Sequence, residues 1–336
     1  MTEPMTDRDV ASAPGPSAEL TVTCDFCAHR CSIAPGETGI CGVRTNDHGR
    51  LRTTVYGDIQ SAGIDPIEKK PLYHFLPGSQ VFSVALAGCN FRCDFCQNAS
   101  IAFPEHFPQP QTHWTAEEVY RQWKRSGTPS IAYTYSEPTV WQDFILDSAP
   151  LIRAEGGRVV MVTNGFFTEE AMDRLIPVVD AFNIDLKGDD QFYRRLCKGR
   201  SQPVLEAIRR IAPERHLEVT TMLMSSRHSR ETIDMLRTEL VEAGVQVWHL
   251  SRFFPAFKMA DEPATTEQDL RDVLDHLAER EGPPFIFAGN SRQSEYHRTN
   301  CPECGTVCIE HRPPVRDYTD HGACPQCGHR VYGVFD

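Results

Sequence analysis

The run GCNFRCDFCQN places Cys89, Cys93 and Cys96 directly after an apolar, strand-like segment, VFSVALA at residues 81 to 87. A strand that opens onto three thiols spaced CxxxCxxC is tightly constrained, because one loop must present all three sulfurs to a common point. Structural zinc sites close with four ligands, usually from pairs of CxxC. Three thiolates instead suit three irons of a [4Fe-4S] cube, whose fourth iron then has no protein ligand and is free for chemistry.

The chain carries thirteen cysteines in 336 residues, and twelve of them fall in three tight groups. That grouping argues against a secreted disulfide framework and for bound metals in a reducing compartment, hence a cytoplasmic protein. The thirteenth, Cys197, stands beside Lys198 and Arg200 and reads as a packed thiol outside any site. Ahead of the triad, Cys24, Cys27, Cys31 and Cys41 offer four thiols within eighteen residues, with Gly36, Gly39 and Gly42 to turn the chain. This quartet suits structural zinc first and an auxiliary Fe-S cluster second, with His29 as a spare ligand. At the far end, CPECG and CPQCG supply Cys301, Cys304, Cys324 and Cys327, a zinc-ribbon or rubredoxin-like pair of knuckles that leaves Cys308 as a packed thiol. A segment this small needs such a staple to stay folded.

A formal net charge of -12 argues against general nucleic-acid binding, which needs clustered Lys and Arg. No apolar run approaches the roughly 18 residues that would span a bilayer, so no membrane partner is expected. Residues 1 to 20, rich in Pro, Ala and Ser, read as a disordered lead-in. We expect the first metal module at 21 to 50, a linker at 51 to 80, the core at 81 to 290 and the second module at 291 to 336.

Within the core, apolar runs alternate with helical patterns, which implies βα units and a parallel sheet. Candidate strands lie at 81 to 87, 130 to 135, 158 to 162, 180 to 186, 216 to 224, 245 to 250 and 284 to 288. Thr115 with Glu118 forms a capping-box signature, Gly127 ends that helix, and Thr168 and Ser229 start later ones. About six βα units are too few for a closed eight-strand barrel, so the expected fold is α/β, a partial (β/α)6 TIM-like barrel with Cys-rich modules at both ends. Chemistry in such barrels gathers at the carboxyl ends of the strands.

Polar motifs follow those ends. YSEP carries Glu137, which either faces the cavity or serves as a helix-first-turn acid before Pro138. VVMVTNG ends in Thr163, Asn164 and Gly165, where Asn and Gly also make an ordinary turn. FNIDLKG puts Asp185 and Lys187 on one face of an extended segment, where they need the cavity or each other as partner. In WHLSRFFP, Arg252 either binds a carboxylate or lies on the surface, and His249 either donates a proton or packs in the core.

The order CxxCxHxCxIxxGxxGxCxVR, DPIEKKPLYHFLPGS, GCNFRCDFCQN, YSEP, TNG, IDLKG, SRFFP, GN and twice CPxCG resembles the radical SAM enzymes of the AmmeMemoRadiSam system. These are relatives of pyruvate formate-lyase activating enzymes. The resemblance implies S-adenosylmethionine on the open iron, cleaved by one electron to methionine and a 5'-deoxyadenosyl radical that abstracts hydrogen from a substrate. It implies that Glu137 and Asp185 receive the cofactor's amino group, Lys187 its carboxylate or the substrate, and Asn164 its methionine and ribose. Phe95, the aromatic before the third cysteine, belongs to the same motif. It further implies a one-electron donor such as flavodoxin or ferredoxin, a protein substrate, and the other proteins of that system as partners. The rival reading is a metal- or redox-sensing adaptor without radical chemistry.

Overall fold

The computed structural model describes residues 20–336, so the expected lead-in lies, apart from Leu20, outside the described residues. Eight strands form one sheet in an order that follows the sequence. They are β1 (Ser61–Pro66), β2 (Gln80–Ala85), β3 (Ser130–Tyr133), β4 (Arg158–Thr163), β5 (Ala181–Asp185), β6 (His216–Leu223), β7 (Val247–Arg252) and β8 (Phe285–Gly289). β2 to β8 run parallel, and β1 pairs antiparallel with β2.

Sequential order means every crossover steps in the same direction. Right-handed crossovers then put all the helices on one face and leave the other face as a concave interior. β1 and β8 do not pair, so the barrel is open. The seven expected core strands are all present within a few residues of their expected ends. The parallel set is thus one strand larger than the six βα units counted from sequence, because β8 closes the series. The segment expected as a linker is built into the fold instead: Ser61–Pro66 forms the edge strand β1, held by a six-residue register from Ser61 opposite Ala85 to Pro66 opposite Gln80.

The helices start where capping chemistry says they should. α1 (Ala116–Ser126) has the Thr115/Glu118 capping box and ends at Gly127 in the left-handed region. Thr168 caps Glu169–Leu175 and Ser229 caps Arg230–Glu242 through their side-chain oxygens. Aromatics such as Trp141, Trp248, Tyr133 and Phe182 are fully buried, each contributing about 1.5–3 kcal/mol of hydrophobic stabilisation.

The floor of the barrel is polar and centres on one carboxylate. Glu218 on β6 is completely buried and accepts four hydrogen bonds: from the backbone N–H of Tyr73 (2.9 Å) and His74 (2.7 Å), and from Nε2 of His216 (2.9 Å) and His249 (2.6 Å). Burial alone would raise its pKa, but the two imidazoles outweigh burial and hold the carboxyl well below its usual range. Beneath this floor the carboxyl-terminal strands Arg298–Asn300, Val307–Glu310 and Arg316–Asp317 dock through Thr299, which bonds both His74 Nε2 (2.7 Å) and His311 Nε2 (2.8 Å). The PLYHFLP part of the long motif is therefore the plug that joins barrel to carboxyl-terminal module.

Candidate active site

At the opposite, carboxyl end of the strands lies a cavity of about 320 Å³ whose wall includes Cys89, Cys93 and Cys96. The chain enters this loop through Gly88, at φ +109°, where a Cβ would meet Val43 at 2.8 Å. Only glycine accepts both the dihedral and the contact. The loop is then pinned by backbone N–H groups of Arg92 and Asp94 donating to the carbonyls of Cys197 and Leu196, each at 2.9 Å. The Arg92 guanidinium donates to the carbonyl oxygens of Cys89 (2.8 Å) and Phe91 (3.0 Å). Two donors point at the Cys89 sulfur, the Phe91 N–H at 3.4 Å and Asn164 Nδ2 at 3.8 Å. Burial pushes the Cys89 thiol well up, and pushes Cys96 up to about 11. A metal that binds these sulfurs displaces their protons. Cys93 is buried and Cys89 and Cys96 are half-buried along one cavity wall, and three thiols presented by one loop fit a cluster that keeps one open iron.

The strand-end residues meet in the same cavity. Glu137, Asn164, Asp185, Lys187, Arg252 and Phe95 all line it. Glu137 is 2% exposed. Its Oε1 accepts from Thr163 Oγ1 (2.6 Å) and Thr139 N (3.1 Å), and its Oε2 from Asn164 N (2.8 Å). A carboxylate has about four acceptor positions, so these three donors leave one on Oε2. Both sequence alternatives for Glu137 hold at once, since it also caps the short helix Pro138–Trp141. Lys187 Nζ donates to Asp185 Oδ2 at 2.8 Å, so the pair serves as mutual partners at the cavity wall. Arg252 is already engaged, Nε donating to Thr265 O (2.7 Å) and one terminal nitrogen to Glu267 (2.9 Å), which leaves the other terminal nitrogen for a ligand.

His249 does not reach the cavity. It lies two residues deeper on β7 than the cavity residue Ser251, so strand alternation turns it inward but onto the floor. There it bonds Glu218 and packs edge-on against Tyr73 at 4.8 Å between ring centroids. The catalytic role expected of His249 is thus corrected to a floor residue, the core alternative.

Two features escaped the sequence reading. Lys69 and Lys70 line the cavity, and both donate to Asp65 at 2.7 Å. Asp65 also accepts from Ser83 (2.7 Å) and Tyr135 (2.5 Å), and these donors overcome burial to hold it far below the carboxylate range. Lys70 is 1% exposed, which burial opposes and Asp65 compensates. The DPIEKK spelling carried this signal, since a buried lysine needs an acid within reach. The other is Cys197, fully buried beside Cys93, its carbonyl oxygen accepting from the Arg92 N–H at 2.9 Å. No local pattern could have brought it to a loop so distant in sequence.

Among the described residues, one group of possible metal donors has its atoms all within 4.8 Å of one another: Cys301, Cys304, Cys324 and Cys327. The Cys301–Cys327 and Cys304–Cys324 sulfurs are 3.6 Å apart. Tetrahedral zinc at about 2.3 Å from each sulfur requires about 3.8 Å between them. Cys308 is buried outside this set, its thiol facing the Thr306 carbonyl. No helix among the described residues is long and apolar enough to cross a membrane.

Residues 84–238 match the Radical SAM superfamily profile. The chain is 39% identical over 297 residues to the uncharacterized protein MJ0808 of Methanocaldococcus jannaschii, covering 86% of this chain and 87% of that protein. It is 26% identical over 216 residues to a putative glycyl-radical enzyme activating enzyme of Haemophilus influenzae, covering 60% and 79%. Among solved structures, Streptococcus suis SuiB bound to S-adenosylmethionine superposes with a TM-score of 0.51 at 14% identity. That match covers 67% of this chain and about half, 53%, of SuiB.

Proposed function

The chain belongs to the radical SAM superfamily, and from that premise we propose that it is an organic-radical-generating enzyme of the AmmeMemoRadiSam type, acting on a protein substrate. When bound, a [4Fe-4S] cluster with S-adenosylmethionine supplies a 5'-deoxyadenosyl radical by one-electron cleavage of the sulfonium bond. The observation that carries this reading is the convergence of Cys89, Cys93 and Cys96 with Glu137, Asn164, Asp185 and Lys187 in one cavity.

In this reading the triad holds three irons. The remaining acceptor position of Glu137 takes the cofactor's ammonium, and Asp185 adds a second carboxylate toward it. Lys187, released from or shared with Asp185, takes the carboxylate of the methionine part or a group of the substrate. Asn164, held by Asn90 Oδ1 at 2.6 Å, orients against the ribose side. Phe95, packed on Phe192 at 5.6 Å between centroids, keeps water from the cluster. Arg252 stands at the substrate side with one free nitrogen. Water exclusion and positioning are what a protein adds to a cofactor that carries the hard step.

A protein substrate is supported by the relative named as a putative glycyl-radical enzyme activating enzyme. We further read Cys301, Cys304, Cys324 and Cys327 as a structural zinc site, the compartment as cytoplasmic, and the reductant as a flavodoxin- or ferredoxin-type carrier. The test is anaerobic incubation of the reduced, cluster-loaded protein with S-adenosylmethionine and a candidate partner protein. A glycyl-radical doublet in the partner by electron paramagnetic resonance (EPR) is expected. Conversion of a metabolite with no radical on any protein would overturn the protein-activating version.

A further inference from the structure

Asp65, on β1, gathers donors that have no part in holding the triad or S-adenosylmethionine. Lys69 donates to its Oδ1 at 2.7 Å, and Lys70 (2.7 Å), Ser83 (2.7 Å) and Tyr135 (2.5 Å) donate to its Oδ2. A carboxylate has about four acceptor positions, so Asp65 is saturated. Its lysines keep donors in reserve, because an ammonium carries three N–H bonds. Lys70 uses two of them, on Asp65 and on the Tyr135 hydroxyl oxygen at 3.2 Å. Among the described residues the third meets no acceptor. Lys70 is 1% exposed, and an unpaired donor at that depth is costly.

Charge points the same way. Two ammonium groups share one carboxylate, which leaves one positive charge without a counter-ion in a chain whose formal net charge is -12. Lys69, Lys70 and Tyr135 all line the cavity that holds the triad. Both lysines follow β1, one of the two unpaired edges of the open sheet. Lys69 is 59% exposed, so it joins the cavity to solvent, while Lys70 stands in the wall.

Tyr135 holds this arrangement to the triad loop. Its φ is +70°, in the left-handed region that a bulky residue seldom adopts. Its carbonyl oxygen accepts from Asn98 Nδ2 at 2.9 Å, two residues past Cys96, while its hydroxyl reaches Asp65. The Tyr135 ring centroid lies 4.3 Å from Lys70 Nζ. A residue strained in this way persists only where its surroundings fix it at both ends.

Resting on the protein-substrate reading above, we infer that Lys69 and Lys70, seated on Asp65 and Tyr135, form a subsite for one carboxylate of the substrate, an Asp or Glu side chain near the hydrogen that is abstracted. Lys70 supplies its spare N–H from the wall, and Lys69 supplies charge from the solvent side. The carboxylate of S-adenosylmethionine has Lys187 in that same reading. A single carboxylate matches the single uncompensated charge, whereas a phosphate group, with its charge near -2, would exceed it.

The test uses the full chain, anaerobically reconstituted and bound to S-adenosylmethionine, with propanoate and propanamide as probes. These have the shapes of the glutamate and glutamine side chains and differ in charge. By ligand-observed nuclear magnetic resonance, propanoate should bind at least about fivefold more tightly than propanamide. Lys69→Gln, which leaves Lys70 and Asp65 as a neutral pair, should abolish that preference. Lys70→Met should do the same, and where it fails to fold the half-exposed Lys69→Gln carries the test. Equal binding of the two probes by the wild type overturns the inference. An undiminished preference in Lys69→Gln also overturns it, as anion binding elsewhere on the surface. S-adenosylmethionine affinity by calorimetry separates the remaining case: a loss of about tenfold in Lys69→Gln would give the lysines to the cofactor and overturn the subsite. Failure of the protein-substrate reading looks different: the propanoate preference is intact, yet no partner protein gains a radical.

Discussion

The triad and the carboxyl-terminal quartet are built from the same residue and the same CxxC spelling, yet they stand in opposite surroundings. Cys89, Cys93 and Cys96 line a cavity with polar side chains from the ends of the neighbouring strands. Cys301, Cys304, Cys324 and Cys327 lie with their sulfurs all within 4.8 Å of one another, Cys304 and Cys327 exposed. An incomplete donor set beside a cavity keeps a coordination position for chemistry; a complete set drawn to one point spends all of them on holding the fold. The amino-terminal quartet is complete like the second, but His29, two residues past Cys27, donates to the Asn90 carbonyl in the triad loop at 2.8 Å.

That contrast can be broken at several points. Replacing Cys301 and Cys304 with Ser should release the carboxyl-terminal ion and lower the melting temperature by roughly 5–10 °C, while product per folded chain stays within about twofold. Equal loss of activity in the folded fraction would mean the two regions are not separate in function. Glu137→Gln keeps an oxygen for Thr163 but removes the charge facing the cavity. A charge-assisted hydrogen bond is worth about 1.5–3 kcal/mol, so S-adenosylmethionine affinity by calorimetry should fall about 10- to 100-fold with the iron count unchanged.

Acid should act on the floor and spare the triad. Burial pushes His74 down to about 4 from its ordinary 6.5, against the pull of Glu218, with His216 and His249 adding to the depression. Its neutral form is thus favoured by folding. That stability is complete above pH 6.5 and is lost as pH falls toward 4, on the order of 3 kcal/mol over the window. Denaturant midpoints across that range should decline, and a His74→Gln variant should flatten the decline. The smallest effect is at Cys197. The buried Cys197 thiol lies beside Cys93, and removing a polar S–H from beside a cluster sulfur destabilises the reduced form. Cys197→Ala should lower the midpoint potential by tens of millivolts while leaving S-adenosylmethionine affinity alone.

Much of this was legible in sequence because the signals are local. Seven core strands stand out as apolar runs, and Thr115, Thr168 and Ser229 are caps whose partners lie three residues away. The cavity residues at strand ends followed from the barrel rule. The edge strand Ser61–Pro66 did not, since SAGIDP has neither alternation nor β-branched density and forms by pairing with β2. His249 was ambiguous for a geometric reason: alternation gives the face of a strand but not the depth along it, and two residues separate floor from cavity. The Cys93–Cys197 and Asp65–Tyr135 contacts join distant segments, and only the fold brings them together.

The most direct measurement is 5'-deoxyadenosine formed from S-adenosylmethionine under a strong chemical reductant, by anaerobically reconstituted wild type and by the Cys89→Ala/Cys93→Ala/Cys96→Ala variant. The account predicts product from the wild type and none from the variant, with both chains folded. A wild-type protein carrying a complete cluster on the triad that forms no 5'-deoxyadenosine would contradict it and leave the cysteine groups as sensors.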